Sequence, residues 1–145
     1  MAKNDLASVI SELQSFGKET DKFLKAEISA IGFQIESDAK FNVSSVASAP
    51  PEIKQMISNK ISNNGYTTTI SQNALPMGAY IEFGTGVFIS IAPEWADMAW
   101  QFYVNGKGRL HAHPYMYPAF VKGRNDLIAT LNKKIDILAR DFNRK

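Results

Sequence analysis

The side chains best able to do chemistry in this sequence are two histidines and a few carboxylates in its second half. His111 and His113 are the only histidines, and one residue separates them. Two imidazoles at this spacing could ligate zinc if Glu94 or Asp97 joined them, but no dedicated further ligand lies nearby. On an extended segment the two rings share one face in any case. Packing in a loop or at an interface is therefore the stronger alternative to a metal site.

Other catalytic patterns do not occur. The sequence has no Cys, and therefore no thiol nucleophile, thiolate metal site or disulfide. Gly-x-Ser-x-Gly is absent, and the Asn-Gly-Lys-Gly run at 105–108 lacks the spacing of a phosphate-binding loop. Glu82 and Glu94 are the only acids amid the central aromatic residues and form no convincing acid–base pair. We expect a protein without enzymatic activity and without a cofactor.

The charge of the chain is divided unevenly along its length. Residues 1–100 hold 7 Lys and Arg against 11 Asp and Glu, a net charge of −4, whereas residues 101–145 hold 9 against 3, a net charge of +6. The basic region could be a nucleic-acid face. It could equally be a subunit surface that meets the acidic surface of a neighbour, or a helix with solvated lysines. The sequence alone leaves these three alternatives open.

Apolar periodicity predicts a helix at each end of the chain. In the N-terminal helical region, residues 5–41, apolar side chains recur every three or four positions, although Gly17 interrupts the pattern and leaves 20–41 as the main helix. The C-terminal helix, residues 118–142, is the clearest amphipathic element. Six apolar residues are expected on its buried face: Phe120, Leu127, Leu131, Ile135, Leu138 and Phe142.

The central β region, residues 52–112, contains shorter elements. A helix or strand is expected over 52–61, a turn at the Asn-Asn-Gly run 63–65, and strands over 66–70 and 87–91. A further short element covers 79–83, and a helical turn could begin at Pro93. The predicted class is α+β: the two helices flank a small, mostly antiparallel β-sheet with long loops, in one domain of residues 1–145.

Two segments combine glycine or proline with closely spaced aromatic residues. Gly84 permits positive φ or close backbone approach, and Thr85 can hydrogen-bond a turn. The second segment carries more amphipathic surface than a small monomer exposes, which suits a subunit interface, with packing at the core edge as the alternative for each aromatic. The candidate residues are Tyr80, Glu82, Phe83, Gly84, Thr85 and Gly86 in the first segment, and His113, Pro114, Tyr115, Tyr117 and Pro118 in the second.

Together, and in this order, the two segments resemble the neck and tail-completion family of long-tailed bacteriophages. Members read Tyr-Ala-x-Tyr-Val-Glu-Phe-Gly-Thr-Gly, then a loop, then Pro-x-Pro-Phe-Leu-x-Pro-Ala opening a C-terminal helix. Over residues 20–142 the predicted helices, strands and loops follow the same order as in the family. Only the two motifs are specific to it. The family's Pro-x-Asp-Thr-Gly-x-Leu segment is replaced here by Ala-Pro-Pro-Glu-Ile-Lys at 49–54.

The resemblance implies a structural virion protein that forms a ring, expected to be a hexamer, in the phage neck. Its partners would be other copies of itself, head-completion or connector proteins, and tail-tube or tail-terminator proteins. DNA would pass through the channel without sequence-specific binding, and no membrane would be involved. Assembly would take place in the bacterial host cytoplasm. The alternative function is a small nucleic-acid-binding protein that uses the basic C-terminal region.

A glycine-rich loop lies between the two motifs, over residues 104–113. It places Lys107 and Arg109 beside hinge-forming Gly and Asn residues. Loops of this kind are often mobile until a partner orders them. We expect this one to project from the domain and to become ordered against a neighbouring subunit or the next ring. Its charges are expected to face either an acidic protein surface or the DNA that passes through the channel.

Overall fold

A computed structural model describes residues 6–47, 49–74, 76–85, 93, 96, 97, 100 and 110–143. The order of elements is a long helix α1, Leu6–Ser44; a single turn of helix α2, Glu52–Gln55; strand β1, Ile57–Ser62; and strand β2, Thr67–Gln72. Helix α3, Met77–Phe83, and helix α4, Met116–Asn143, follow. The α+β class is confirmed, with helix as the larger part. The described helices include none long and apolar enough to span a membrane.

Helix α1 is one continuous helix, so the predicted interruption at Gly17 is wrong. A glycine inside a helix costs about 1 kcal/mol relative to alanine, too little to end a helix of 39 residues. The apolar face that begins before Gly17 resumes after it in the same register. Towards its C-terminal end this face becomes the core of the protein, with Ile31, Ile35, Ala39 and Val43 all buried.

The sheet is a two-stranded antiparallel hairpin. Strands β1 and β2 pair from Ile57 opposite Gln72 to Ser62 opposite Thr67. The turn between them is the predicted Asn-Asn-Gly, in which Asn63 and Asn64 adopt positive φ. The hairpin packs on α1, where Thr68 and Asn59 lie directly over Gly32. The expected "helix or strand" over 52–61 proves to be both, α2 and then β1.

The central region is less β-rich in its described part than expected. The element predicted over 79–83 is α3, a helix too short for apolar periodicity to reveal. The predicted strand at 87–91 lies outside the described residues, as does most of the turn expected from Pro93. Nor do the two long helices enclose the sheet, because they pack chiefly against each other while the hairpin lies on α1.

Helices α1 and α4 are antiparallel and approach most closely where α4 has small residues. Ala119 and Gly123 face α1, and a Cβ at Gly123 would overlap the side chain of Ile35. Polar bonds flank this contact: Lys122 Nζ lies 2.7 Å from Asp38 Oδ2, and Gln34 donates to Asp126 over 3.3 Å. The predicted buried face of α4 is therefore only partly right. Leu138 is buried, whereas Phe120 and Ile135 are exposed.

Alanine substitutions at two helical glycines are expected to have opposite effects on stability. Gly17→Ala should raise the free energy of unfolding by about 0.5–1 kcal/mol, because its Cβ would meet no described atom within 4 Å. Gly123→Ala should lower it by about 1–3 kcal/mol, because the buried Ile35 side chain must change its rotamer, or the helices must separate, to admit the methyl group. Urea unfolding of both variants checks the pair. A stabilised Gly123→Ala would contradict the close helix crossing.

Candidate functional site

The carboxylate of Glu82 caps the N-terminus of helix α4 from a different part of the chain. Its Oε2 accepts hydrogen bonds from the backbone N–H of Tyr115 at 2.7 Å and of Met116 at 2.9 Å, and its Oε1 accepts from the N–H of Tyr117 at 3.0 Å. Glu82 is in α3 and only 4 % exposed. One buried side chain therefore joins the two motif segments.

Pro118 completes the cap. A helix leaves its first four N–H groups without partners inside the helix, and in α4 these belong to residues 115–118. Glu82 takes three of them, and the fourth position is a proline, which has no N–H. Every donor at this buried helix start is thus either bonded or absent. The sequence Tyr-Met-Tyr-Pro suits this arrangement because proline stands at the one position that Glu82 does not reach.

The turn after α3 ties the same two segments together through the backbone. Thr85 N–H donates to the Leu110 carbonyl at 2.9 Å, and Leu110 N–H donates to Thr85 Oγ1 at 3.1 Å. His113 N–H donates to the Ile81 carbonyl at 2.7 Å. Gly84 holds φ at +75°, as predicted for this glycine. We call residues 77–85 and 110–118 with these bonds the latch.

Tyr115 is the anchor of the latch. It is 1 % exposed, and its hydroxyl donates to the Gly78 carbonyl at 3.3 Å. Its own carbonyl accepts from Asn42 Nδ2 at 3.1 Å, which connects the latch to α1. Burial, reinforced by the negative charge of Glu82, raises the pKa of the Tyr115 phenol well above its ordinary range. The phenol therefore remains a neutral hydrogen-bond donor.

Burial also dominates the electrostatics of Glu82. Removal from water raises the pKa of its carboxyl above the ordinary value, and the N–H bonds from Met116, Tyr115 and Tyr117 act in the opposite direction without cancelling the rise. Both oxygens are occupied by backbone donors. The group is therefore placed to hold two segments together.

The raised pKa of Glu82 predicts how the free energy of unfolding changes with pH. Between the unfolded value of about 4.3 and the higher folded value, the native state binds more protons than the unfolded chain. The contribution of Glu82 to stability therefore falls as pH rises through that window. The difference in unfolding free energy between wild type and Glu82→Gln should narrow over the same range. A difference that widens would mean that the N–H bonds outweigh burial and lower the pKa.

The structure places the predicted site residues in three groups. Glu82, Gly84, Thr85 and Tyr115 are buried residues of the latch that make its bonds or its constrained turn, and Phe83 is buried beside them. His113, Pro114 and Pro118 belong to the second segment but have exposed side chains, and Tyr80 and Tyr117 are half-buried. Gly86, Lys107 and Arg109 lie outside the described residues, whereas the end of the predicted loop, Leu110 to His113, is fastened to α3.

Sequence reasoning missed four of the residues that make the bonds of the latch, namely Asn42, Gly78, Ile81 and Leu110. Asn42 contributes a side-chain amide and the other three contribute backbone groups. The weak signal for Asn42 was a polar residue on the last turn of an otherwise apolar helix face. Backbone partners leave no trace in residue type, so Gly78, Ile81 and Leu110 could not have been found.

Metal ligands do not converge in the parts of the chain that the structure describes. There, no three His, Cys, Asp or Glu side chains are grouped in a way that could hold an ion. His111 and His113 are both exposed. Comparisons with protein-family models, with curated proteins and with solved structures return no match to this chain.

Proposed function

We propose that this chain is a structural protein of a tailed bacteriophage, a ring-forming neck or tail-completion subunit that joins head to tail around the DNA channel. The observation that carries the proposal is the latch. The two segments that resemble the phage family are far apart in sequence, yet Glu82 of the first bonds three backbone N–H groups of the second. The latch supports the proposal because the two segments on which the resemblance rests contact each other in the fold.

The proposed protein acts by binding and not by catalysis. The buried carboxylate of the latch is fully occupied by backbone donors, and large apolar side chains are exposed on both long helices. Such surface favours contacts with other proteins. We infer a homo-oligomeric ring, a hexamer by resemblance, with the head connector and the tail tube or terminator as further partners. No cofactor enters this proposal.

Deletion of the gene from the phage that encodes it tests the function. We expect lysates with DNA-filled heads and separate tails, because the joint between them would be missing. A plasmid copy of the wild-type gene should restore joined particles. Normal numbers of infectious, joined virions in the deletion would overturn the proposal, whatever the oligomeric state of the purified protein.

The loop between the motifs supplies a second prediction for the same phage. Replacing both Lys107 and Arg109 with alanine should lower the yield of joined particles, because these cations are proposed to contact an acidic partner surface. Thermal stability of the isolated subunit should change little, since the sequence predicts that this loop projects from the domain and exposed charges contribute little to folding. Electron microscopy of lysates and a melting curve check the two parts. A normal yield of joined particles would show that the loop is not part of the interface.

The second candidate function is a small nucleic-acid-binding protein. Its basis is the net charge of +6 over residues 101–145. Helix α4 itself carries 5 Lys and Arg against 3 Asp and Glu, so its net charge is only +2. Binding through counterion release should weaken steeply with salt. Tight, salt-sensitive binding to duplex DNA by the purified protein, together with normal virions after gene deletion, would favour this function over the neck.

A further inference from the structure

Helix α1 extends beyond the end of its partner helix. The contacts that pair Lys122 with Asp38 and Asp126 with Gln34 fix an antiparallel register. Continued at that register, the last residue of α4, Asn143, lies opposite Gly17. The first turns of α1, N-terminal to Gly17 and about 16 Å long, therefore project past α4.

The projecting part presents the same face that forms the core further along. Leu13 precedes Leu24 by eleven residues, and Leu24 precedes Ile31 by seven. Both spacings are close to a whole number of helical turns, so the three side chains lie on one face of α1. Yet Ile31 is 7 % exposed, whereas Val9, Ile10 and Leu13 are 39 %, 46 % and 51 % exposed. Isolated helical turns are marginal in water, and most helical stability comes from packing an apolar face. This face is incomplete without a partner.

Helix α4 carries an apolar stripe of similar length that is also exposed. Phe120, Ile128 and Ile135 follow one another at spacings of eight and seven residues, which places them on one side of the helix over about 22 Å. All three are more than 40 % exposed. The packed side of α4 contains the buried residues Ala119, Gly123 and Leu138 and the partly buried Leu127. The exposed stripe borders this packed side, and its three side chains stay largely exposed in the described structure.

The two exposed faces have opposite charge. The projecting turns of α1, residues 6–16, hold one acid, Glu12, and no basic residue, a net charge of −1. Residues 120–140, around the stripe on α4, hold five basic and two acidic residues, a net charge of +3, and one of the five, Lys122, already pairs with Asp38 of the same chain. Arg124 lies within the stripe, four residues from both Phe120 and Ile128, and Glu12 follows Val9 by three residues. Complementary charge of this kind orients and accelerates protein association.

We propose that the projecting face of α1 (Val9, Ile10, Leu13) docks on the α4 stripe (Phe120, Ile128, Ile135) of a second copy of this chain. The inference deepens the proposed function, since it locates the contact from which the ring is built. Because the two faces differ, the contact is heterologous. Each subunit offers one face to the copy before it and the other face to the copy after it, and such contacts close into rings or continue as filaments.

Two charged substitutions test whether this interface builds the assembly. Leu13→Asp should disrupt binding through the α1 face, and Ile135→Asp should disrupt binding through the α4 stripe. The matched controls, Ser15→Asp and Ala129→Asp, add the same charge at exposed positions of the same helices. All four positions are exposed, so circular dichroism and melting curves should match wild type. Sedimentation velocity then measures assembly of each variant alone and of the two face variants mixed in equal amounts.

We expect wild type and both controls to form the higher oligomer, and each face variant alone to be monomeric. The mixture should give a dimer and nothing larger, because only one intact α1 face and one intact α4 face remain to be joined. If the face variants assemble like wild type, the proposed interface is wrong but the proposed ring still stands. A mixture that stays monomeric would overturn the head-to-tail contact. A wild type that never assembles would overturn the ring and the interface together.

Discussion

Replacing Glu82 with alanine is expected to lower the free energy of unfolding by about 2 kcal/mol or more, since a buried N–H left without a partner costs on the order of 1–3 kcal/mol and a part-buried one costs less. Three backbone donors lose their acceptor in this variant, those of Tyr115, Met116 and Tyr117. Single domains are stable by only about 5–15 kcal/mol. The variant should therefore lose a substantial share of its stability.

Urea unfolding measures this loss, and amide hydrogen exchange shows where it occurs. Exchange should accelerate most at the first turn of α4, because the N-terminal cap is what Glu82 supplies. Glu52→Ala is the matched control, since Glu52 is an exposed glutamate in the first turn of a short helix. It should change stability by less than about 0.5 kcal/mol. Equal effects from the two substitutions would mean that Glu82 is not the cap of α4.

Replacing Gly84 with alanine is expected to cost at least about 2 kcal/mol, because an L-residue is strained at its φ of +75° and ψ of 179°. Steric overlap adds to the strain. A Cβ would lie 2.8 Å from the carbonyl oxygen of Leu110 and 2.9 Å from the nitrogen of Ala112. Both atoms belong to the backbone, so no side-chain rotation can relieve the contact. The latch must open locally to accept the methyl group.

Gly84→Val should be worse than Gly84→Ala, since a β-branched side chain is still less tolerated at positive φ. Thermal denaturation ranks the two variants against wild type, with Gly17→Ala as the control for an unhindered glycine. Because the latch contains the segments proposed for the neck, we also expect lower yields of joined phage. Wild-type melting temperatures for both variants would show that the turn is not constrained.

Residue type and spacing predicted the parts of the fold that depend on local chemistry. The turn at Asn63 and Asn64, the two terminal helices and the constrained glycine at 84 all follow from such rules. The helix interruption predicted at Gly17 is wrong because glycine's low helix propensity is a local effect, and the packing of the whole helix outweighs it. Periodicity likewise placed Phe120 and Ile135 on the buried face of α4, although Ala119 and Gly123 make the close approach.

The latch could be predicted only in part. Its two segments were recognisable by their glycines, prolines and aromatic residues, and both proved to lie at one place. The role of Glu82 was not foreseen, because its partners are backbone groups at least 33 positions further along the chain. No residue-level signal marks an N–H group that lacks a helical partner. A buried acid followed by a distant Tyr-x-Tyr-Pro helix start is a pattern that could now be sought.

Electron microscopy of the purified wild-type protein at high concentration, combined with its mass in solution, tests whether this chain assembles with itself into a closed ring around a channel wide enough for DNA. We expect one discrete assembly, a hexamer, seen end-on as a ring with an open centre. A protein that remains monomeric at every concentration, and also in the presence of phage heads and tails, would contradict this expectation.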